Sequence, residues 1–404
     1  MPVSDSDFDI VIVGGGLAGA ALARAMSSRG RSVAVLERTT TFRDRIRGEW
    51  IAPWGVAEAK RLGVLPILMG SCGHELPRFT RYINGKPQER DYLATTRLRL
   101  PSLAFFHPDM QEVMLNAAQE AGAEIWRGAI VRSAGSDSQG PWVDVEVDES
   151  DRLLRARLIV GADGRDSQLR QWGGFAVEHG KQGRFAAGLM LEGVDADSDS
   201  AHMWISTQSG QAAYFFPQAK GRGRAYVTSD SRKFSGLDDA PLFIQASNEL
   251  GVANHVYAQA KPFGVLATLD LTDHWVNRPF QNGIALIGDA AGATDPTWGQ
   301  GLSIVLRDVR ILFDCLDADS DWARAGELYA AERDRYFQDL LTYESWVDEL
   351  IMQTGPKADE RRARAMARWA KDPSRIPDIF TEGPEKVLDE RARQRYFGED
   401  DSSE

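Results

Sequence analysis

Six residues, Gly14 to Gly19, restrict this chain more than any other stretch. They lie inside DIVIVGGGLAGAALARAMSSRGRSVAVLER, which reads as strand, glycine turn, helix and second strand. Ile10 to Val13 is a β-branched run, and Gly14, Gly16 and Gly19 then fill a G-x-G-x-x-G pattern. That spacing allows a tight turn, close approach of a pyrophosphate, and close packing of helix on strand. The helix that follows presents its unpaired N–H groups, those of Leu17 and Ala18 among them, to the phosphates. Glu37 ends the second apolar strand, SVAVLE, where a carboxylate accepts hydrogen bonds from an adenosine ribose, and Arg38 follows it as a further cofactor candidate. An acidic residue there favours FAD or NAD over NADP without choosing between them.

Two later segments share this logic. RLIVGADGRDSQLR, residues 157–170, is an apolar strand ending in Gly161, Asp163 and Gly164, and residues 284–303 supply a strand IALI, then Gly288-Asp289, then DPTWGQGLS. Each aspartate closes a strand, where it also reads as a helix cap. Together with RIRGE at residues 45–49, the segments resemble those of the class A flavoprotein monooxygenases, the para-hydroxybenzoate hydroxylase type of FAD enzyme. They run from residue 10 to about residue 316 in that family's order.

The resemblance implies an α/β fold: a Rossmann-like FAD-binding domain with an inserted, mainly antiparallel β-sheet substrate domain and C-terminal helices. It places Asp163 and Gly164 near the pyrophosphate and the nicotinamide path, Gly288 and Asp289 at the ribityl chain, and Arg45 and Arg47 against the flavin. Gln111 matches a position that contacts the cofactor, and Pro296 and Thr297 lie beside N5 and C4a. The chain departs from the family pattern at Gly292, where a histidine is common, at Asp295 in place of a proline, at Ser303 in place of an asparagine, and at His107 in place of an arginine.

Residues 302–316, LSIVLRDVRILFDCL, place Leu302, Val305, Leu306, Val309, Leu312, Phe313 and Leu316 on one helical face, with Arg307, Arg310 and Asp314 opposite. Gly299 and Gly301 strip side chains from the start of this helix, so the N–H groups of Leu302 and Ser303 can approach a flat ring. The positive helix end then sits by the N1–C2=O edge of the isoalloxazine.

The division expected is 1–75, 101–180 and 271–340 for FAD, 76–100 and 181–270 for the substrate sheet, and 341–404 for a charged helical segment with a frayed tail from Gly398. The segment at residues 201–230 reads as antiparallel strands. Trp204, Phe215 and Pro217 are the candidates for its pocket face and Tyr214 and Phe216 for the other, and a one-residue shift exchanges the two. Trp50 and Trp298 adjoin flavin segments and are pocket candidates, with packing between domains as their structural reading. Glu49 joins Pro296 and Thr297 as a catalytic candidate, its structural reading being an ion pair with Arg45 or Arg47.

A net charge of −12 argues against nucleic-acid and anionic-membrane partners. Cys72, Cys315 and the histidines lack metal-ligand spacing, so no metal is expected. No apolar stretch reaches membrane-helix length, and acidic Asp5, Asp7 and Asp9 stand where a signal peptide is positive, which leads to a cytoplasmic reading. The resemblance implies an FAD-dependent monooxygenase that uses NADH or NADPH and O2 to hydroxylate a small aromatic or conjugated substrate through a flavin C4a-hydroperoxide. No second glycine fingerprint exists for a nicotinamide domain, as in that family, where NAD(P)H meets a mobile flavin. The alternatives are a two-component halogenase or monooxygenase fed by a separate reductase, and a non-oxygenating FAD reductase. The charged C-terminal helices read as solvated or partner-facing, and the sequence does not choose between a pocket cover and a homodimer contact.

Overall fold

The computed structural model describes residues 7–180, 184–229 and 239–400. At its centre the strand Phe8–Val13 runs parallel to Val33–Glu37 on one side and to Ser150–Gly161 on the other. Parallel strands are covered on both faces, which is why Ile10 to Val13 is apolar without alternation. The sheet continues through Glu124–Arg127 at one edge and through Ile284–Leu286 and Phe280–Gln281 at the other. A pair of antiparallel strands, Ile130–Asp137 and Gly140–Val147, branches from Ser150–Gly161.

The helices Leu17–Ser27, His107–Glu120 and Gly301–Ala318 pack together over one face and share its core with Ile10, Ile12, Val33 and Val35. Backbone hydrogen bonds then carry the chain off the carboxyl ends of three neighbouring strands: Gly14 N to Leu36 O (2.9 Å), Ala162 N to Val13 O (2.8 Å) and Ile287 N to Gly161 O (2.9 Å). All three sequence motifs therefore meet at one edge, where open α/β sheets bind ligands.

A second sheet orders its seven strands as Lys261–Asp270, Phe185–Glu192, Arg222–Ser229, Gln211–Gln218, Ser200–Ser206, Arg78–Ile83 and Lys86–Asp91. Its only parallel pair among the described residues joins Ser200–Ser206 to Arg78–Ile83, so a hairpin distant in sequence completes the sheet. Met203, Ile205, Tyr214 and Phe216 share the main core with Trp50, whereas Trp204 and Phe215 pack with Phe243 and Tyr257 on the opposite face. The expected pocket face is thus reversed: Trp204 and Phe215, with Pro217 in phase with them, point away from the nucleotide-binding sheet. Both faces are apolar, so a period of two left the phase open.

The Trp322–Val347 helix is capped by Asp321, whose carboxylate accepts from Ala323 N and Arg324 N. Its Tyr329 hydroxyl donates to Leu286 O at 2.6 Å, tying the helix to the central sheet. Helices Pro356–Lys371 and Glu390–Phe397 follow and pack on each other. The tail expected to fray from Gly398 is held as far as Asp400, which pairs with Arg375 at 2.6 Å, and residues 401–404 lie outside the described residues. Arg307, on the helix face opposite the apolar one, is buried and meets Glu58 of the Pro53–Arg61 helix at 2.8 Å. Among the described residues no helix is long and apolar enough to cross a membrane.

Candidate active site

At the fingerprint the backbone is packed without room for side chains. A Cβ on Gly14, where φ is +107°, would lie 2.3 Å from Ala162 O, and one on Gly19 would lie 2.0 Å from Gly14 O. The Leu17–Ser27 helix has no side-chain cap and begins its own bonding at Ala20 N to Gly16 O, 2.9 Å. The N–H groups of Leu17, Ala18 and Gly19 therefore have no intrahelical acceptor and face the strand edge, as an anion site requires. Gln111 Nε2 lies 3.8 Å from where a Gly16 Cβ would be, which brings this residue of the His107–Glu120 helix to the same turn.

Glu37 is held in place from two sides. Its Oε2 accepts from Gly15 N at 2.8 Å, and Oε1 accepts from the backbone and hydroxyl of Thr39, both at 2.8 Å. Arg38 is exposed beside it. Glu37→Gln replaces an acceptor with a donor and is expected to weaken FAD retention roughly tenfold, about the worth of one charge-assisted hydrogen bond. Flavin fluorescence on titrating the deflavinated protein measures it.

Asp163 does two things. Its Oδ2 caps the Gln168–Trp172 helix, accepting from Gln168 N (2.8 Å) and Leu169 N (3.2 Å), while its buried Oδ1 has no partner among the described residues. Gly164, with φ +83°, has open space where a Cβ would stand. The side chain of Asp289 accepts no hydrogen bond among the described residues; burial pushes its pKa up, against the pull of Arg47, Arg165 and His107 nearby. A half-buried carboxyl group without partners is costly unless a ligand supplies them.

The sequence reading missed Asp308, which sets the backbone beside Asp289. Gly288, at φ +60°, donates its N–H to Asp308 Oδ2 at 2.8 Å, and the Tyr336 hydroxyl donates to Oδ1. Burial pushes the Asp308 carboxyl up to about 6. The available signal was a carboxylate between Val305, Leu306 and Val309 on a core-facing helix, where it must find partners.

At the third motif, the first intrahelical bond of Gly301–Ala318 is Ile304 N to Gln300 O at 3.0 Å. The N–H groups of Gly301, Leu302 and Ser303 are left to other acceptors, and nothing lies within 4 Å of a Cβ built on Gly301. The Ser303 hydroxyl turns inward and accepts from Ala52 N at 3.2 Å, so only its backbone can serve a cofactor. Gly299, at φ +69°, is pressed against Trp50, whose ring would be 2.8 Å from an added Cβ. Asp295 caps the Pro296–Trp298 turn through Thr297 N (2.8 Å) and is itself held by Arg184 at 2.7 Å. Trp298 stacks on Phe380 at 5.6 Å, so the C-terminal segment covers the Pro296–Trp298 turn.

Glu49 is occupied. It is 1% exposed and accepts from Arg224 (Nε 2.9 Å, Nη2 3.1 Å), Gln218 Nε2 (2.7 Å) and His107 N (3.1 Å). Its ion-pair partner is Arg224 of the second sheet. Of the two expected partners, Arg45 is exposed and the backbone carbonyl of Arg47 accepts from Tyr226 Oη at 2.5 Å. With its lone pairs engaged, Glu49 is a joint between the sheet and the 44–49 loop; the geometry gives it no catalytic proton to move.

An open glycine cradle, two uncapped helix N-termini, an orphaned Asp163 Oδ1 and an unpartnered Asp289 are what FAD would complete. Among the described residues, no group of His, Cys, Asp or Glu is placed to hold a metal ion. Residues 7–342 match the family model described as an FAD binding domain. The chain is 26% identical to the 3-demethoxyubiquinol 3-hydroxylase of Escherichia coli over 86% of its own length and 88% of the relative's. It is 28% identical to the rifampicin monooxygenase of Streptomyces venezuelae, over 88% and 74%. In fold it is similar to p-nitrophenol 4-monooxygenase from Pseudomonas putida, with TM-score 0.80, 18% identity, and coverage of 94% and 99%. Motif order, strand-edge geometry and these matches converge: the chain belongs to the FAD binding domain family and is a flavin-dependent oxidoreductase of the class A monooxygenase group.

Proposed function

We propose that this flavoprotein takes electrons from NADH or NADPH and uses O2 to hydroxylate a small aromatic or conjugated substrate. An aromatic box beside the flavin turn carries this reading. Trp50 stacks on Phe216 (5.7 Å) and meets Phe79 (6.1 Å), and Trp298, Phe380 and Tyr343 form a second run at 5.6 and 4.9 Å. Flat apolar walls of this kind hold a planar ligand and keep water out. Trp50 and Trp298 would be pocket residues, and Phe216 and Tyr214 would replace Phe215 and Trp204 on the sheet side.

FAD, when bound, supplies the hydride acceptance and oxygen activation. The chain's residues bind and orient it. Asp289 and Gln111 would take its hydroxyl groups, with Arg47 and Arg45 alongside, Asp163 and Gly164 would flank the pyrophosphate, and Glu37 the ribose. The N–H groups of Leu302 and Ser303, at the positive end of their helix, would stabilise negative charge on the pyrimidine edge of the ring. Backbone at Pro296 and Thr297, fixed by Asp295 and Arg184, would pack on the ring without moving a proton. The relatives named for demethoxyubiquinol and rifampicin support an organic small-molecule substrate.

Anaerobic mixing of the yellow protein with NADH or NADPH, with and without a panel of small aromatics, tests this through the visible flavin absorbance. Bleaching that one compound accelerates, followed on aeration by one hydroxylated product per O2, is the expected result. Persistent colour with both nucleotides, while dithionite bleaches it, would overturn self-sufficiency in favour of a separate reductase. Bleaching followed by substrate reduction with no O2 incorporated would overturn hydroxylation.

A further inference from the structure

We infer that Glu344 is a positioning residue for the Pro296–Trp298 turn, acting on it through Thr294, Arg184 and Asp295 and withdrawing its support as pH rises. The inference rests on the reading above for one point, that this turn borders the flavin ring, and on the chain's own contacts for the rest.

Asp295, which stands where a proline is common, makes the arrangement possible. Its Oδ1 accepts from Thr297 N at 2.8 Å, and its Oδ2 accepts from Arg184 Nε and Nη2 at 3.0 and 2.7 Å. The same Nη2 bonds Asp348, at the start of the Asp348–Met352 turn that continues the Trp322–Val347 helix. One guanidinium thus ties the turn to the end of the long helix, and a proline could accept nothing from it. Glu344 lies four residues before Asp348, one helical turn away, and faces the same junction. On the strand side His274 pairs with Ala293, which brings Asp273 opposite Thr294.

Glu344 is the group this junction leaves unserved. It is 5% exposed, and neither of its carboxyl oxygens has a hydrogen-bond partner among the described residues. The Thr294 hydroxyl beside it is also buried and also without a partner, as is Asp273 Oδ1. Four carboxyl groups, those of Glu344, Asp273, Asp295 and Asp348, surround Arg184, and Arg165 adds its charge beside Asp273. Because Asp295 and Asp348 take the bonds of Arg184, the dry Glu344 carboxyl has no donor and keeps its proton. Burial first, then the charges of Asp273 and Asp295, push its pKa well up against the pull of Thr294 and Arg184. Burial and Asp295 likewise push Asp273 up to about 6.

With its proton, Glu344 has an O–H for the Thr294 hydroxyl and places no charge beside Asp295. Without it, a further carboxylate competes for Arg184, and the grip of Arg184 on Asp295, and through it on Thr297 N, weakens. A native pKa above the unfolded one means that the support is complete at low pH and is lost as pH rises through the native value.

The test uses the FAD-loaded full chain and its Glu344→Gln and Glu344→Met variants, from the ordinary carboxylate range up to mildly alkaline pH. The readouts are the FAD dissociation constant, the visible flavin spectrum and the melting temperature. At the acid end the Gln variant should match wild type in FAD affinity within about twofold. As pH rises, wild type should lose affinity by roughly tenfold more than either variant, with a flavin spectrum that shifts only in wild type. Asp289 and Asp308 titrate in all three proteins, so the difference between the curves reports Glu344, and two variants guard against a folding defect in one. Parallel curves for wild type and both variants overturn the inference. So does a pH-dependent difference confined to the melting temperature, which would make Glu344 a buried acid without effect on the turn. Curves that diverge as expected in a protein that no NAD(P)H and O2 regime turns over would keep Glu344 in its role and remove the monooxygenase reading; hydroxylation with parallel curves would do the reverse.

Discussion

Asp289→Ala is expected to shed FAD on gel filtration while its apo-protein melts no lower than wild type. The carboxylate would take hydroxyl hydrogens of the cofactor, and a hydrogen bond to a charged group is worth about 1.5–3 kcal/mol, so the dissociation constant should rise roughly ten- to a hundredfold. The apo-protein behaves differently because nothing in the described chain bonds that carboxylate and burial raises its pKa. A raised native-state value means that the folded apo-protein holds this proton more firmly than the unfolded chain does. The associated stability is present at low pH and is lost as pH rises through the native value. Alanine removes this dependence, so apo Asp289→Ala should gain on wild type as pH rises above the ordinary carboxylate range. Fluorescence titration with FAD and melting scans of both apo-proteins across that range give the two readouts. An unchanged FAD affinity would remove Asp289 from the site; a lower apo melting temperature at all pH would make it a structural residue.

Much of the fold was legible because its motifs are local. Gly14, Gly16 and Gly19 are demanded by contacts within a few residues, as the 2.0 Å between a Gly19 Cβ and Gly14 O shows, and Glu37 lies at the end of the next strand. The same holds for the uncapped start of Gly301–Ala318, where glycines beside an apolar helix announce a close approach. What was not legible depends on long-range choices. The sheet phase at Gln211–Gln218 is one bit of information, and sequence cannot supply it when Tyr214 and Phe216 on one side look like Phe215 on the other.

Charged partners failed for the same reason. Glu49 was read against Arg45 and Arg47 because they are near in sequence, but its partner is Arg224, and Arg307 found Glu58 across a helix interface. A buried carboxylate says that a partner exists without saying where. Asp308 follows the same rule: it is satisfied by Gly288 N and Tyr336, which makes it part of the scaffold.

Arg224→Met should cost about 3–5 kcal/mol of stability, because it strands the Glu49 carboxylate in a site that is dry on every side. Glu49 would keep Gln218 Nε2 and His107 N, but no charge would oppose it, and Asp44, held by the same guanidinium at 2.6 Å, would lose its partner too. Adding Glu49→Gln to Arg224→Met removes the fully buried charge with little change in volume and leaves only the partly exposed Asp44 unpaired, so most of the lost melting temperature should return in the double variant. Because the pair ties the second sheet to the 44–49 loop, the single variant should also loosen FAD and lower the flavin content of the purified protein. Catalysis separates the joint from the catalytic role that the sequence suggested for Glu49. A joint predicts that Glu49→Gln lowers stability and flavin content but keeps turnover per bound flavin within a few-fold of wild type. A proton-transferring Glu49 predicts the opposite: full flavin content, a melting temperature near wild type, and turnover reduced by the hundredfold or more that general acid–base catalysis contributes. Melting curves, flavin-to-protein ratios and turnover per flavin on the three variants decide between them, and a surviving melting temperature in Arg224→Met would mean that the pair is not the joint its geometry describes.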